Sequence, residues 1–342
     1  MKILSIDTSC DETAAAVTEG TKILSNTIWS QASAHAKFGG VMPSLARRMH
    51  EERIDFVVEK ALSTSHQSLV TNIDAIAVTV GPGLSIALGV GVSKAKELAI
   101  KYKKKLIAVN HLEGHILSPL ANNEYPVSSI KYPSLGLVVS GGNTILLKIN
   151  KIGSYETLAQ TTDDALGEAL DKAARMLGLG YPGGAVLEKM SRLGDVKKYK
   201  LPIPILGQES RRIFTYSGLK TAMSRLVESE KPLTKEKIQN LAASFQDVAF
   251  AHIIRVLRFV VTNHQLPITN HLLVGGGVVA NVELRKRLRK LGKEFGISVC
   301  FPYSNKLTGD NAAMIGVVAY FKFQRKEFVD PSKIDRNPNL KA

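Results

Sequence analysis

Cysteine is scarce in this chain of 342 residues, which contains only Cys10 and Cys300. Two cysteines cannot build a disulfide framework, so we expect a fold held by its apolar core, in a reducing compartment. Long apolar segments are missing as well: the longest uncharged stretch, residues 75–93, is broken by a Gly-Pro-Gly sequence. A spanning helix needs about 20 apolar residues and tolerates such a break poorly. Because Asp7 comes too early for the apolar part of a signal peptide, we predict a cytoplasmic protein without a membrane partner.

Acidic residues are outnumbered, since 45 lysines and arginines stand against 30 aspartates and glutamates and give a formal net charge of +15. Residues 101–105 and 285–290 hold part of this excess in two basic clusters. Net charge governs association more than fold, so we predict a polyanionic partner and favour nucleic acid. Solvated helix faces without a partner are the alternative. The 44% of hydrophobic residues is typical of a globular chain, and the length allows one or two domains.

Two segments share one pattern, in which a strand, a small polar turn and a second strand follow each other, at residues 2–17 and 135–147. Apolar runs of strand length around a tight turn predict a β-hairpin in each segment. Helical stretches follow at residues 46–63 and 163–177, and this alternation predicts an α/β fold. The repeat suggests two similar lobes with a cleft between their turns, and chance similarity is the alternative for a repeat this short.

Two further glycine clusters follow the second hairpin. Three consecutive glycines at residues 275–277 end a third apolar strand and precede a helical pattern at residues 282–291. Such a turn lets a ligand approach the backbone, and the following helix N-terminus favours negative charge. Its spacing matches neither a Walker loop nor a dinucleotide fingerprint. The other cluster, residues 178–184, follows a helix that ends near Leu177, and a helix C-cap explains it without a function.

The sharpest local pattern is the pair His111 and His115. Four residues of helix leave the two side chains about 40° apart on one face, which suits one metal ion. Glu113 points about 200° away from His111, the wrong phase for the water-activating glutamate of zinc proteases. Asp310, which precedes an alanine-rich helix, is the best candidate for a third ligand, although N-capping alone would explain it. Two histidines and one carboxylate would suit zinc or ferrous iron, and a polar helix without metal is the alternative.

Acidic residues also occur at the predicted turns. Asp11 and Glu12 lie in the first hairpin turn, where a carboxylate could manage water or a cation near phosphate. Turn chemistry alone would also account for them. Asp163 and Asp164 open a helix, which the helix dipole explains without function. Asp171 lies two turns inside that helix, so neither turn chemistry nor the helix dipole explains an acidic residue there.

Taken together, these motifs resemble the TsaD family of tRNA threonylcarbamoyladenosine enzymes, formerly called the glycoprotease family. The matching segments follow the family order from residue 3 to about residue 316, at residues 6–13, 38–43, 81–84, 111–115, 139–144, 163–184, 216–221, 275–281 and 308–314. The resemblance implies the two-lobed α/β fold of the actin-like, sugar-kinase and heat-shock-ATPase class, with RNase-H-like lobes. We expect a first lobe over residues 1–118, completed by a helix at about 310–326, a second lobe over 119–309, and a loose polar tail over 327–342.

The resemblance also implies a reaction and its site. The threonylcarbamoyl group of threonylcarbamoyl-adenylate is expected to pass to the exocyclic amine of adenosine 37, in tRNAs that read codons starting with A, with release of AMP. One divalent metal ion per subunit is expected on His111, His115 and Asp310, with Fe²⁺ favoured and Zn²⁺ as the alternative. The implied substrate-binding residues are Val138, Val139, Ser140, Gly141 and Gly142 for the phosphate and acyl part, and Asp171, Gly184, Glu188 and Asn281 for the ribose and base. The attacking amine is weakly basic and needs a proton acceptor, for which Asp11 and Glu12 are the candidates.

The sequence departs from the family pattern at three positions: Asn143, where many bacterial relatives have histidine, Glu188, where aspartate is usual, and Ser44, where glutamate is common. The segment around Phe38 is similar to bacterial or organellar relatives. The bacterial interpretation implies tRNA, a TsaB-like paralogue and a TsaE-like ATPase as partners, with a TsaC-like enzyme supplying the adenylate, whereas an organellar relative could act without these proteins. The competing hypotheses are a metal-dependent protease, a small-molecule kinase of the same fold, and a nucleotide-gated scaffold.

Overall fold

The computed structural model describes residues 1–64, 67–68, 73–263 and 270–341. The chain divides into two compact units. Unit 1 comprises Met1–Ile130, Lys151–Ser154 and Cys300–Ala342, and unit 2 comprises Lys131–Asn150 and Tyr155–Val299.

The strands are, in chain order, β1 (Lys2–Asp7), β2 (Glu12–Glu19), β3 (Lys22–Ser30), β4 (Ser63–Thr64), β5 (Gln67–Ser68), β6 (Ala75–Gly81), β7 (Lys105–Asn110), β8 (Ser134–Val139), β9 (Thr144–Lys151), β10 (Ser154–Thr161), β11 (Ile213–Phe214), β12 (His271–Gly275) and β13 (Ser298–Cys300). The α-helices are α1 (Ala32–Ala36), α2 (Pro43–Leu62), α3 (Ser85–Lys101), α4 (His111–Leu117), α5 (Leu166–Met176), α6 (Gly184–Ser191), α7 (Ser217–Ser229), α8 (Lys235–Asn263), α9 (Val282–Phe295) and α10 (Ala312–Gln324).

The two units contain sheets of the same basic strand order. In unit 1 the order is β3-β2-β1-β6-β7, where β1, β2 and β3 pair antiparallel and β6 and β7 continue parallel to β1. In unit 2 the order β10-β9-β8-β12-β13 repeats it, with β11 added at one edge. The two predicted hairpins are confirmed as β1–β2 and β8–β9. The repeated sequence pattern therefore corresponds to a repeated topology.

Both faces of the unit 1 sheet are covered, which explains why its central strands are almost wholly apolar. Leu4 and Ile6 of β1 belong to an apolar cluster that includes Val57 of α2 and Val92 of α3. Ser5 lies on the other face, because successive side chains of a strand alternate. Its hydroxyl donates to the carbonyl of Ala312 in α10 over 2.6 Å. Each fully buried apolar side chain of this core contributes about 1.5–3 kcal/mol.

The predicted helices are present with adjusted ends. The helices expected at residues 46–63, 163–177 and 282–291 correspond to α2, α5 and α9. Helix α5 begins three residues later than predicted, and Asp163 lies outside it, where its carboxylate accepts the backbone N–H of Tyr216 over 2.8 Å. The predicted C-cap is confirmed at Gly178, whose φ of +72° is the left-handed conformation that glycine adopts without strain.

The unit boundaries differ from the predicted lobe boundaries at residues 118 and 309. Residues 119–130 and 300–309 belong to unit 1. Asn122 is one reason, since its backbone N–H donates to the Thr21 carbonyl over 2.8 Å. Its side-chain carbonyl accepts from Ile23 N over 2.7 Å, and its amide donates to Tyr303 over 2.8 Å.

The segment expected to form a loose tail, residues 327–342, is bonded to unit 1 along much of its length. Val329 N donates to the Leu106 carbonyl over 2.9 Å, and Asn337 N donates to the Val80 carbonyl over 2.6 Å. Ile334 is buried in the core beside β6 and α3. Polar composition suggested a solvated tail, but backbone groups and one apolar side chain anchor it. Within the described part of the chain, no helix is both long and apolar enough to cross a membrane.

Candidate active site

The sheet of unit 1 positions the histidine pair. Strands β1, β6 and β7 are parallel, so their carboxyl ends meet at one edge of the sheet. Asp7 ends β1, and Asn110 ends β7 and caps helix α4, which begins at His111. The side-chain carbonyl of Asn110 accepts the backbone N–H groups of Leu112 and Glu113 over 2.8 and 3.4 Å. This N-cap fixes the first turn of α4 and the direction of its histidines.

Asp310 joins the histidines from the other end of the chain. The Nε2 atoms of His111 and His115 lie 3.4 and 3.2 Å from Oδ1 of Asp310. N-capping does not explain Asp310, because the neighbouring Asn311 caps α10 by accepting Met314 N over 3.1 Å. One ligand atom from each of the three residues lies within 4.8 Å of the others. These three residues allow a metal site.

The donor set fits a transition metal by two observations. Nε2 of His115 is buried and makes no hydrogen bond despite its short distance to Asp310. A buried polar atom of this kind requires another partner, and a metal ion is one. Two imidazoles and one carboxylate leave positions open for substrate or water, as zinc and ferrous sites do.

Charge stabilises the ionised form of Asp310. Burial by itself would raise the pKa of Asp310, but His111 and His115 outweigh it and hold that pKa far below its usual range. Burial would lower the pKa of His111, but Asp310 and Asp7 raise it well above its usual value. Burial dominates at His115 and lowers its pKa. The side chain of Asp310 is therefore an anionic carboxylate, which is the form that a metal ligand requires.

The first hairpin turn carries a second group of acids in unit 1. Burial, followed by the charges of Asp11 and Asp310, raises the pKa of Glu12 well above its usual value. Ser30 donates its hydroxyl to Oε1 of Glu12 over 3.3 Å. A carboxyl group whose pKa is raised above its usual value is a stronger base than an ordinary carboxylate, which suits it to accept a proton.

His50 of α2 holds this turn in place. Its Nε2 lies 3.0 Å from the carbonyl oxygen of Cys10, and its Nδ1 lies 2.8 Å from the hydroxyl of Thr13. Because a carbonyl only accepts, Nε2 carries the proton and Nδ1 accepts from Thr13. Burial lowers the pKa of His50, in agreement with a neutral ring. Asp11 and Glu12 lie between the two residues that His50 binds.

The second hairpin turn, between β8 and β9 of unit 2, has a different chemistry. Ser140 N donates to the Asn143 carbonyl over 2.8 Å, and the Ser140 hydroxyl accepts Asn143 N over 3.1 Å. Gly141 and Gly142 are exposed, and a Cβ atom at either position would meet open space. Neither packing nor a positive φ therefore requires glycine at these two positions. The side chains of the preceding Val138 and Val139 are fully buried, so these two residues present only backbone.

The remaining predicted substrate residues make hydrogen bonds at the starts of two helices of unit 2. Oδ1 of Asp171 accepts the N–H groups of Gly183 and Gly184, both over 2.8 Å, at the start of α6. Oε1 of Glu188 accepts Val282 N over 3.0 Å. The side chain of Asn281 caps α9 by accepting Glu283 N and Leu284 N over 3.0 and 3.2 Å, and its amide donates to Gln246 over 2.8 Å. Asp171, Glu188 and Asn281 thus fix the ends of α6 and α9.

Comparison with protein families identifies the chain. The model of TsaD, described as tRNA N6-adenosine threonylcarbamoyltransferase, matches residues 22–317. The chain belongs to the TsaD family.

Curated relatives are similar in sequence to this TsaD family member over nearly its full length. A protein of Thermodesulfovibrio yellowstonii named tRNA N6-adenosine threonylcarbamoyltransferase is 44% identical over 334 residues, which cover 96% of this chain and 97% of the relative. Proteins of the same name from Bartonella henselae and Pelagibacter ubique are each 42% identical, and they cover 96% and 95% of this chain and 92% and 91% of their own lengths.

Solved structures agree on the fold of this TsaD family member. Full-length HypF in its phosphate- and nucleotide-bound form aligns over 96% of this chain and 56% of that chain, with a TM-score of 0.59 and 14% identity. The activator of 2-hydroxyisocaproyl-CoA dehydratase from Clostridium difficile with bound ADPNP aligns over 100% of both chains, with a TM-score of 0.54 and 14% identity. The likeness concerns the fold alone, and together with the two mixed sheets it confirms the predicted α/β fold.

Sequence reasoning about this TsaD family member missed several residues. Asp7 ends an apolar strand, where a buried carboxylate needs a partner, and this was the available signal. His50 and Gln246 stand in no local sequence pattern that marks them, so only the folded chain identifies them. The structure shows where two of the departures from the family pattern lie. Ser44 is exposed in the first turn of helix α2, and the backbone of Asn143 closes the second hairpin turn.

Proposed function

We propose that this chain transfers the threonylcarbamoyl group of threonylcarbamoyl-adenylate to the exocyclic amine of adenosine 37, in tRNAs that read codons starting with A, and releases AMP. The observation that carries the proposal is the match to the TsaD model over residues 22–317. The relatives named for this transferase activity support it. With tRNA as substrate, the reaction belongs in the cytoplasm.

His111, His115 and Asp310 are the proposed ligands of one divalent ion, which we assign as Fe²⁺ with Zn²⁺ as the other candidate. Their convergence in unit 1 supports this role. When bound, the ion supplies positive charge that stabilises anionic oxygen in the transition state. The two imidazoles would hold the ion through their Nε2 atoms, and the ionised Asp310 would offset part of its charge.

The substrate is already activated, so the chain has no need of a loop that cleaves ATP. Its task is to position the reacting groups and to stabilise charge on the carbonyl oxygen and the departing phosphate. The backbone around Ser140, Gly141 and Gly142, with Val138 and Val139 before it, is proposed to receive the phosphate and acyl part. Exposed glycines that packing does not require support this role, because a ligand can approach their backbone closely. Gly184 and the side chains of Asp171, Glu188 and Asn281 are proposed to receive the ribose and base.

Glu12 is our proposed proton acceptor, with Asp11 as the alternative. Attack by the exocyclic amine releases a proton, and a base whose pKa lies near the working pH accepts it most effectively. Burial and the charges of Asp11 and Asp310 raise the pKa of Glu12 above its usual value, which is the direction that this condition requires. His50 supports it by bonding residues on both sides of the turn.

The basic surface and the partners complete the proposal. Lys101, Lys103 and Lys105 are exposed, and contacts of these lysines with tRNA phosphates agree with the net charge of +15. The proposed partners are a TsaB-like paralogue, a TsaE-like ATPase and a TsaC-like enzyme that makes the adenylate. The similarity around Phe38 to bacterial family members supports this bacterial set.

The function is tested on the modified nucleoside itself. Depletion of the protein from its host should remove threonylcarbamoyladenosine from tRNA, and expression of the wild-type chain should restore it. Mass spectrometry of nucleosides from total tRNA measures the loss and the recovery. An unchanged level after complete depletion, in a host without a second copy of the gene, would refute the proposal.

Asp171→Ala is expected to lower the free energy of unfolding by about 2 kcal/mol, because two backbone N–H groups lose a charged acceptor. The same change should weaken AMP binding about tenfold, since the start of α6 loses its fixed position. Chemical denaturation and calorimetric titration with AMP measure the two effects. Asp195→Ala is the matched control, because among the bonds described the exposed side-chain carboxylate of Asp195 accepts only the local N–H of Lys197, over 2.9 Å. Wild-type AMP affinity in a destabilised Asp171→Ala variant would make the role of Asp171 purely structural.

A further inference from the structure

Asp7 is a buried carboxylate that the proposed reaction does not use. It ends β1 opposite Ala14, and its side chain is 1% exposed. Oδ1 accepts the backbone N–H of Ser9 over 3.2 Å. Oδ2 is buried and has no hydrogen-bond partner. An ionisable group in such a place requires a compensating partner.

The partner that faces Asp7 is His111. Nδ1 of His111 lies 3.5 Å from Oδ2 of Asp7, and it too is buried without a hydrogen-bond partner. The opposite ring nitrogen, Nε2, lies 3.4 Å from Asp310. The two nitrogens of one ring therefore face two different carboxylates, of which Asp310 belongs to the proposed metal group and Asp7 does not.

A neutral imidazole carries its proton on one nitrogen and a lone pair on the other. An ionised carboxylate only accepts, so Asp7 favours the proton on Nδ1 of His111 and leaves the lone pair on Nε2. That tautomer is the one that can ligate an ion beside Asp310. Histidine ligands commonly donate their second N–H to a carboxylate, which fixes both the tautomer and the ring orientation.

We propose that Asp7 is a positioning residue for the metal ligand His111, in which Oδ2 accepts the Nδ1–H of the ring and directs the Nε2 lone pair at the ion. The inference rests on the proposed function in one respect, the assignment of His111, His115 and Asp310 as ligands. Asp7 is proposed to act on His111, because the Nδ1 atom of that ligand lies 3.5 Å from Oδ2 of Asp7.

Ser9 makes the substitution Asp7→Asn informative. Its N–H needs an acceptor, so the carbonyl oxygen of the new amide should occupy the place of Oδ1. The amide nitrogen then faces Nδ1 of His111 as a donor. A donor there favours the opposite tautomer, which puts the proton on Nε2, where the ion needs the lone pair. The variant preserves the size of the side chain and reverses the direction of one hydrogen bond.

Zinc affinity tests the proposal on the full-length, zinc-loaded chain by competition with a chelator of known affinity. Asp7→Asn should bind zinc about 10- to 100-fold more weakly than the wild type. Asp74→Asn is the matched control, because exposed Asp74 accepts the N–H of Lys2 over 2.8 Å at the far end of β1 and should leave the affinity unchanged. Wild-type zinc affinity in Asp7→Asn, while His111→Ala loses zinc, would overturn the role of Asp7. Wild-type affinity in His111→Ala would instead overturn the ligand assignment.

Nitrogen-15 NMR of the zinc-loaded wild type gives a readout that a merely structural role of Asp7 would not produce, and it decides the question if Asp7→Asn does not fold. The expected signal is a ring Nδ1–H of His111 that is shifted downfield and exchanges slowly with water, because the proton is held by Asp7. A proton on Nε2, or an Nδ1–H that exchanges freely, would refute the proposal.

Discussion

Replacing His111 or His115 with glutamine is expected to lower kcat/KM for threonylcarbamoyl transfer by about 100- to 1000-fold, the usual cost of losing one preorganised group that stabilises transition-state charge. Each substitution removes one of three ligand atoms that lie within 4.8 Å of one another. The double variant should lose the bound metal altogether. Transfer from preformed threonylcarbamoyl-adenylate to tRNA measures the rate, and elemental mass spectrometry measures the metal content.

His271→Gln serves as the control for these variants, since His271 begins β12 in unit 2 and takes no part in the metal group. Thermal unfolding should be measured beside each assay, because loss of the His111 ring leaves Asp7 and Asp310 without the group that faces both.

The kinase hypothesis predicts a different result for the same variants. A kinase of this fold does not need the two histidines, so phosphoryl transfer that survives the double substitution would favour it. Full acyl transfer by a folded, metal-free double variant would refute the metal role.

Glu12→Gln is expected to reduce kcat by about 100- to 10,000-fold if Glu12 accepts the proton of the attacking amine. The base is active only when it is ionised, so the wild-type rate should rise with pH through the raised pKa of Glu12. This acid limb should lie well above pH 4.5 and should disappear in the variant. Single-turnover rates across a pH series measure it. Asp11→Asn is the comparison, and an unaltered acid limb in Glu12→Gln with a lost one in Asp11→Asn would transfer the role to Asp11.

The same substitution should stabilise the fold near neutral pH. A carboxyl group whose pKa is raised in the folded state binds its proton more tightly there than in the unfolded state, so stability falls as pH rises from the ordinary pKa through the raised one. Glutamine removes this ionisation, and its side-chain oxygen can still accept the hydroxyl of Ser30. Denaturation of both proteins at neutral and acid pH measures the difference. Higher stability with lower activity is typical of a residue that is retained for chemistry.

Local patterns were sufficient for much of this protein. The two hairpins, the predicted helices α2, α5 and α9, and the C-cap at Gly178 depend on residues close together in the chain. Periodicity, turn residues and caps act over that range, so they can be identified before any tertiary contact is known. The pair His111 and His115 belongs to the same class, since a helix alone places residues four apart on one face.

The position of the lobe boundaries and of the C-terminal segment did not follow from such patterns. Residues 119–130 were assigned to the second lobe, but Asn122 bonds to Thr21, Ile23 and Tyr303 of unit 1. Residues 327–342 have a polar composition, yet Val329 and Asn337 bond to distant strands. Composition reports the average solvation of a segment and contains no information about individual long-range backbone bonds.

The sequence by itself determined the family, the α/β class, the repeated hairpins and the histidine pair, because each of these is written in residues that are neighbours or in motifs in a set order. Only the tertiary structure decided how the parts of the site meet within unit 1. Strand order β1-β6-β7 brings Asp7 beside His111, although 103 intervening residues separate them in the sequence, and α10 brings Asp310 to the same ring. Which carboxylate ligates and which one orients the ring depends on the side of the imidazole that each faces, and only the folded sheet defines those sides.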